Sequence, residues 1–152
     1  MRIGVISDTH GLLRPEACAR LEGVDLIVHA GDIGAPEVIG ALETIAPVRA
    51  VRGNVDRGDW AAAFPETDLV EAGDHTLYLL HDLGALDLEP RAAGIDVVVS
   101  GHSHRPRAET VRDVLYLNPG SAGPRRFRLP IAMATLHLGG GAPRAELHDL
   151  EA

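Results

Sequence analysis

Three short apolar runs near the start of the chain, each cut off by polar residues, constrain the fold more than any other feature. Arg2 to Ser7 reads Arg-Ile-Gly-Val-Ile-Ser and ends in Asp8-Thr9-His10-Gly11. Val24 to His29 ends in Ala30-Gly31-Asp32, and Pro47 to Val51 ends in Arg52-Gly53-Asn54. Short β-branched runs bounded by turn residues are strand signals. Between them, Arg14 to Leu21 and Pro36 to Ile45 have helical composition, and Pro15 suits a first helical turn, where a missing N–H costs nothing. Strand and helix in strict alternation predict a βαβαβ unit with a parallel sheet and right-handed crossovers.

After about residue 65 the pattern changes. Asp68 to Ala72 and His75 to Leu80 flank Gly73-Asp74, a two-residue hairpin turn. Leu86 to Ala93 is expected to form a short helix before the apolar strand Asp96 to Ser100. Arg107 to Thr110 with Val114 to Leu117 reads as another strand pair. Ile131 to Leu138 with Arg144 to Leu150, around Gly139-Gly140-Gly141, reads as a last one. There is no internal repeat, low-complexity tract or linker. The expectation is one α/β domain over residues 1–152, parallel in its first half and antiparallel in its second, a length that suits a single core.

Composition excludes more than it assigns. A formal net charge of −8 argues against non-specific nucleic-acid binding, which needs a basic face to displace counterions. It leaves a phosphate-bearing substrate open, because bound cations would dominate the local charge. All 14 basic residues are Arg, which reads as genome composition. Cys18 is the only cysteine, so neither an intramolecular disulfide nor a thiolate metal cluster is available. The apolar start is too short for a signal segment and no stretch approaches a membrane span, so a cytoplasmic protein is the default expectation.

The informative polar residues fall at predicted strand ends. Asp8 and His10 follow the first strand, Asp32 the second and Asn54 the third; His81 ends a later strand, and His102 and His104 follow another. In an open α/β sheet, ligands gather outside the carboxyl ends of the strands. Asp8-x-His10 and His102-x-His104 put two side chains on one side of an extended segment. Glycine precedes Asp32, Asn54 and His102, where it permits a sharp turn or a close backbone approach. Singly these residues signal little; in joint order they describe a metal site of oxygen and imidazole donors.

That order, Asp-x-His, Gly-Asp, Gly-Asn, His, Gly-His-x-His, resembles the calcineurin-like metallophosphoesterase superfamily from Asp8 to His104. Asn118-Pro119-Gly120-Ser121, the compact length, and Asp56 in Gly-Asn-x-Asp are similar to its small bacterial and archaeal phosphodiesterase branch, which is related to the retromer scaffold subunit. The resemblance implies an αββα sandwich, with two mixed sheets flanked by helices. It also implies Asp8, His10, Asp32 and His104 around one metal, and Asn54, His81 and His102 on a second, with Asp32 bridging. Asp32, Asn54 and His102 carry the catalytic roles by the same resemblance. Donors of this type suit Mn²⁺, Fe, Ni²⁺ or Zn²⁺, and the family tilts the choice to Mn²⁺. Two ions about 3.5–4 Å apart can clamp the attacking and leaving oxygens of an in-line displacement and yield hydroxide near neutral pH. The implied reaction is phosphodiester hydrolysis of a small phosphoester. The alternatives are a phosphomonoesterase and a non-catalytic protein-interaction scaffold.

The chain departs from the superfamily at Val55, where many members carry a histidine after Gly-Asn, so the leaving group has no obvious proton donor. Asp82 follows His81 where relatives often have glycine, and reads equally as a histidine's hydrogen-bond partner or a rim acid. Arg105, after His104, is a candidate substrate-phosphate contact. Arg125-Arg126-Phe127-Arg128 is the most basic stretch and reads first as a solvated loop. His29 reads as a structural residue, and His75, His137 and His148 as surface or packing residues. Exposed strand edges in the later half leave a homo-oligomer open.

Overall fold

Side-chain alternation along the strands builds two sheets face to face in the computed structural model, which describes residues 1–151. In chain order the first strands and helices are β1 (Arg2–Ile6), α1 (Pro15–Leu21), β2 (Leu26–His29), α2 (Pro36–Glu43) and β3 (Val48–Ala50). A hairpin of β4 (Thr67–Ala72) and β5 (His75–Leu80) follows, then β6 (Val97–Val99), β7 (Arg107–Val111) and β8 (Val114–Asn118). The last pair is β9 (Ala132–His137) and β10 (Arg144–Asp149). One sheet has the order β10-β9-β1-β2-β3 and the other β4-β5-β6-β8-β7.

In β1, Ile3 and Val5 face the second sheet while Gly4 and Ile6 face the helices. Val28 and Ala30 face inward from β2 and its end, and Ile27 faces outward. From the other sheet Leu77, Leu79, Val97, Val99, Leu115 and Leu117 complete the inner core. Helices α1 and α2 cover the outer face of the first sheet through Ala17, Leu21, Val38, Ile39 and Leu42. Helix α1 lies so close over β1 that a Cβ on Gly4 would stand 2.2 Å from Leu21 Cδ2. At the far edges, Arg49 of β3 grips Asp68 of β4 through two hydrogen bonds of 2.9 Å, tying the sheets together.

The βαβαβ unit is present as expected, and the three later strand pairs are antiparallel. Two expectations are corrected. The centre of the second sheet is parallel, β5 with β6 and β6 with β8, because the chain crosses over between these strands instead of turning back. Hairpin turns leave a local signature in sequence; crossovers that carry no α-helix do not. Leu86 to Ala93 forms no helix. Pro90 lacks an N–H and biases Glu89 away from helical geometry, so only a single turn forms, ending at Gly94 with φ 78°. The second sheet's outer face is therefore covered by loop side chains (Leu83, Leu86 and Leu88 over Tyr78, Val98 and Tyr116), and α-helices flank only one side. Among the described residues no helix is long and apolar enough to cross a membrane.

The parallel centre of the second sheet matters for chemistry. It brings the carboxyl ends of β5, β6 and β8 to the same end of the sandwich as those of β1, β2 and β3. Hydrogen bonds cross between the two sets there: His81 Nδ1 to the Ala30 carbonyl at 2.9 Å, and the His102 N–H to Asp8 Oδ2 at 3.1 Å.

Candidate metal centre

Six of the seven expected ligands meet at this end. Asp8, His10 and His104 bring donor atoms within 4.8 Å of one another, as do Asp32, His81 and His102. Asp32 joins the two groups: its Oδ2 lies 3.2 Å from His81 Nε2 and 3.6 Å from His10 Nε2. Asp8 Oδ1 lies 3.3 Å from His104 Nε2 and 3.8 Å from His10 Nε2. Asn54, the seventh, is exposed and shares with His81 and His102 the wall of a groove of about 450 Å³.

The donor set fits cations. Among the described residues, four buried side-chain polar atoms lack a hydrogen-bond partner, and three belong to this cluster: Asp8 Oδ1, His10 Nε2 and His104 Nδ1. Burying such atoms unpaired is costly unless an ion satisfies them. Asp8 is aimed by its other oxygen, Oδ2, which accepts from the Ser7 hydroxyl at 2.7 Å and from the His102 N–H. His81 donates Nδ1–H to the Ala30 carbonyl, leaving the Nε2 lone pair for the cluster. Asp32 Oδ1 accepts the Val55 N–H at 3.1 Å.

The electrostatics agree. Burial works to raise the Asp32 pKa, yet bonding from His81 and the Val55 N–H wins and holds it at about 2. Burial pushes Asp8 up, against the pull of Ser7, His81 and His104. His81 is raised: burial opposes this, but its bonds to Asp32 and Ala30 hold the proton. His104 is lowered, by burial first, with Asp8 opposing and the charge of Arg126 adding to the effect. Carboxylates that hold a proton on a buried histidine also attract a metal ion in its place.

Backbone geometry shows how tightly the loops converge. Asp8, His10, Asp32, His102 and His104 all adopt left-handed φ, between 46° and 71°, a conformation that non-glycine residues rarely take and that clusters at functional sites. Gly53 has an ordinary φ but must be glycine: a Cβ there would sit 2.2 Å from Asp32 Oδ1. A Cβ on Gly101 would stand 2.1 Å from the Ser7 hydroxyl.

Several supporting residues escaped the sequence reading. Asp56, noted there only for its motif, accepts three backbone N–H groups, from Ile33 at 3.0 Å, Gly34 at 2.9 Å and Gly53 at 2.8 Å, and so ties the Asp32 loop to the Asn54 loop. Asn118 donates to the Gly101 carbonyl and Ser103 Oγ and accepts the Gly120 N–H, bracing the loop of His102 and His104. The Ser121 hydroxyl donates to the Asp8 carbonyl. His29 is structural, as expected. Its Nδ1 accepts the Gly31 N–H, so Nε2–H donates to Thr9 Oγ1, whose hydroxyl donates to the Ile33 carbonyl. Burial holds its pKa down to about 3, so the ring is neutral. Asp82 is exposed and caps the Gly84 N–H, which makes it a rim acid and not a histidine's partner.

A cluster of carboxylates and histidines at the converging strand ends of two stacked sheets is the arrangement of a metallohydrolase. Residues 1–141 match the calcineurin-like phosphoesterase superfamily domain, and the chain belongs to that superfamily. It is 39% identical over 148 residues to a probable metallophosphoesterase of Methanothermobacter thermautotrophicus, covering 88% of this chain and 84% of the relative. Among solved structures it resembles one described as a novel archaeal phosphodiesterase, with a TM-score of 0.80 and 27% identity, covering 97% and 100% of the two chains. The zinc complex of Vps29 from Entamoeba histolytica shares the fold, with a TM-score of 0.76 at 24% identity and coverage of 99% of both chains.

Proposed function

We propose that the chain is a metal-dependent phosphodiesterase. In this reading Asp8, His10, Asp32 and His104 hold one divalent ion, and Asp32, Asn54, His81 and His102 hold a second, with Mn²⁺ favoured. The supporting observation is the set of buried, unpartnered donors, Asp8 Oδ1 and His10 Nε2, a few ångströms apart at the convergence of the strands. Bound there, the ions supply charge neutralisation at the phosphoryl group and a water acidic enough to attack near neutral pH.

The protein's own residues do the rest. Asp8 and Asp32 keep one oxygen each on backbone or hydroxyl donors, which freezes the other toward the cluster before substrate arrives. His102 and Asn54 stand on the exposed rim of the groove, where the phosphoryl group is first met and oriented in line with the attacking water. Arg105, which follows His104, is the candidate contact for a non-bridging phosphate oxygen in this reading. Val55 offers no proton, so the reading favours substrates whose leaving oxygen departs without a general acid. The archaeal phosphodiesterase among the similar structures supports diester over monoester.

The test is hydrolysis of bis(p-nitrophenyl) phosphate by Mn²⁺-loaded protein, with p-nitrophenyl phosphate as the monoester control. Asp32→Asn and His102→Ala are expected to lower the rate by about 100-fold or more. Two ions per chain with no turnover of any phosphoester would replace this reading with a metal-binding scaffold. Turnover of the monoester alone would make the chain a phosphomonoesterase.

A further inference from the structure

The loop carrying Arg125-Arg126-Phe127-Arg128 is anchored at the metal centre although none of its side chains serves there. The Ala122 N–H donates to the Ser7 carbonyl at 3.0 Å, and the Ser121 hydroxyl to the Asp8 carbonyl at 3.1 Å. Gly123 passes so near β1's end that a Cβ would stand 2.3 Å from the Thr9 carbonyl. The returning arm is pinned by the Ala132 N–H on the Ser121 carbonyl, and Arg125 is committed to the Leu129 carbonyl and Glu151. The loop is therefore held beside Asp8 and His104.

At its tip Phe127 is 86% exposed with φ 55°, in a chain that has only two phenylalanines. Arg105, Arg126 and Arg128 have no side-chain partner among the described residues. Arg105, Phe127, Arg128 and Leu129 line an open hollow of about 670 Å³. The groove past Asn54 and His102 is lined instead by Tyr78 and the acids Glu66, Asp82 and Asp87, and its one guanidinium, Arg52, is engaged by the Phe64 carbonyl and Glu66. Three guanidinium groups without a side-chain partner thus stand together on the Asp8–His104 flank of a chain of net charge −8.

We propose that the hollow of Arg105, Phe127 and Arg128 receives a nucleotide substituent of the substrate, its base stacked on Phe127 and an additional phosphate met by the arginines. The acidic groove receives the other, uncharged and hydroxyl-bearing, substituent. This rests on the phosphodiesterase reading and names its substrate class. With Arg105 on the scissile phosphate, Arg126 and Arg128 are two guanidinium groups more than a diester with one negative charge requires. A planar base is the group that an exposed aromatic ring beside guanidinium planes holds best. A protein partner is disfavoured because, among the described residues, Phe127 and Leu129 are the only apolar side chains lining the hollow, far short of an apolar docking patch.

The experiment compares kcat/KM of Mn²⁺-loaded protein on three diesters: methyl p-nitrophenyl phosphate, thymidine 5′-(p-nitrophenyl phosphate), and the latter with a 3′-phosphate. Wild type should prefer the nucleoside diester to the methyl diester, and the 3′-phosphate should add to that preference. Phe127→Ala should cut the nucleoside-to-methyl ratio by about 10-fold, within the range of base–aromatic stacking, and Phe127→Trp should retain it. Arg128→Ala should erase the gain from the 3′-phosphate. Equal rates on all three diesters, or a preference that survives Phe127→Ala, overturns the proposal. If wild type binds metal but cleaves none of them, the phosphodiesterase reading has failed instead. Calorimetry then decides the hollow: Phe127→Ala lowering the affinity for AMP relative to inorganic phosphate by about 10-fold supports a nucleotide site, and an unchanged ratio rejects it. A wild-type dimer that Phe127→Ala converts to monomer would assign the loop to a second copy of the chain and also reject it.

Discussion

Asp56→Ala removes the acceptor on which two ligand loops are hung. The carboxylate is only 5% exposed; its Oδ2 takes the N–H groups of Ile33 and Gly53, and its Oδ1 that of Gly34. A buried donor left without a partner costs about 1–3 kcal/mol. The Ile33 N–H is fully buried and is assigned about 2 kcal/mol, while Gly34 and Gly53, which water partly reaches, are assigned about 0.5–1 kcal/mol each. The sum is about 3–4 kcal/mol, which in a domain of this size corresponds to a fall in Tm of about 10 °C. Asp56→Asn keeps one carbonyl oxygen for two of the donors and should lose about half as much. The assay is urea and thermal unfolding in EDTA, so that metal linkage does not enter the comparison. Calorimetric titration with Mn²⁺ should then show at least about 10-fold weaker binding in the alanine variant, because Asp32 and Asn54 are no longer held in register. A loss under about 1 kcal/mol, or an asparagine variant as damaged as the alanine one, would refute the reasoning.

Adding Mn²⁺ to metal-stripped protein at about 100 times its Kd should raise stability by about 2.7 kcal/mol and Tm by at least about 5 °C. No shift with Mn²⁺, Zn²⁺, Ni²⁺ or Fe²⁺ would remove the metal centre. His29 has a folded pKa of about 3 against 6.5 unfolded, so folding expels its proton: its contribution is undiminished above pH 6.5 and erodes as the pH falls toward 3. Urea unfolding in EDTA between pH 6 and pH 4 should show wild type losing about 1.4 kcal/mol per pH unit more than His29→Gln; parallel slopes would contradict a buried neutral ring. Val55→His places a proton donor on a 44% exposed position whose N–H already bonds Asp32. It should raise the rate on alkyl diesters by about 10-fold or more, and far less on p-nitrophenyl esters; equal gains on both would argue against missing proton delivery.

The strands were legible because a short β-branched run ended by turn residues is a local signal, present in Arg2 to Ser7 before any partner is known. What the sequence hid was how strands meet. Gly73-Asp74 announces a hairpin within two residues, whereas the parallel pairing of β5, β6 and β8 is decided by crossovers with no signature of their own. The expected helix at Leu86 to Ala93 failed at a residue in plain view. Pro90 lies inside that span, and proline at that position leaves room for a single turn only.

The candidate donors were legible for a different reason: carboxylates and imidazoles at strand ends stand out wherever they occur. Their supports do not stand out, because they act on the backbones of loops remote in sequence. Gly53 is fixed by a collision with Asp32, Asp56 by the N–H groups of Ile33 and Gly34, and Asn118 by the loop of His102. One signal was nonetheless available. His29 and Ser7 are polar residues at the ends of runs whose neighbours are all apolar, and a polar side chain buried at such a point must be hydrogen-bonded. At the carboxyl end of a strand the nearest free partners are the turning backbones and side chains of adjacent ligand loops. A lone polar residue ending an apolar strand just before a ligand is therefore to be read as a clamp on that loop, and Ser7 on Asp8 and His29 on Gly31 both act in that way.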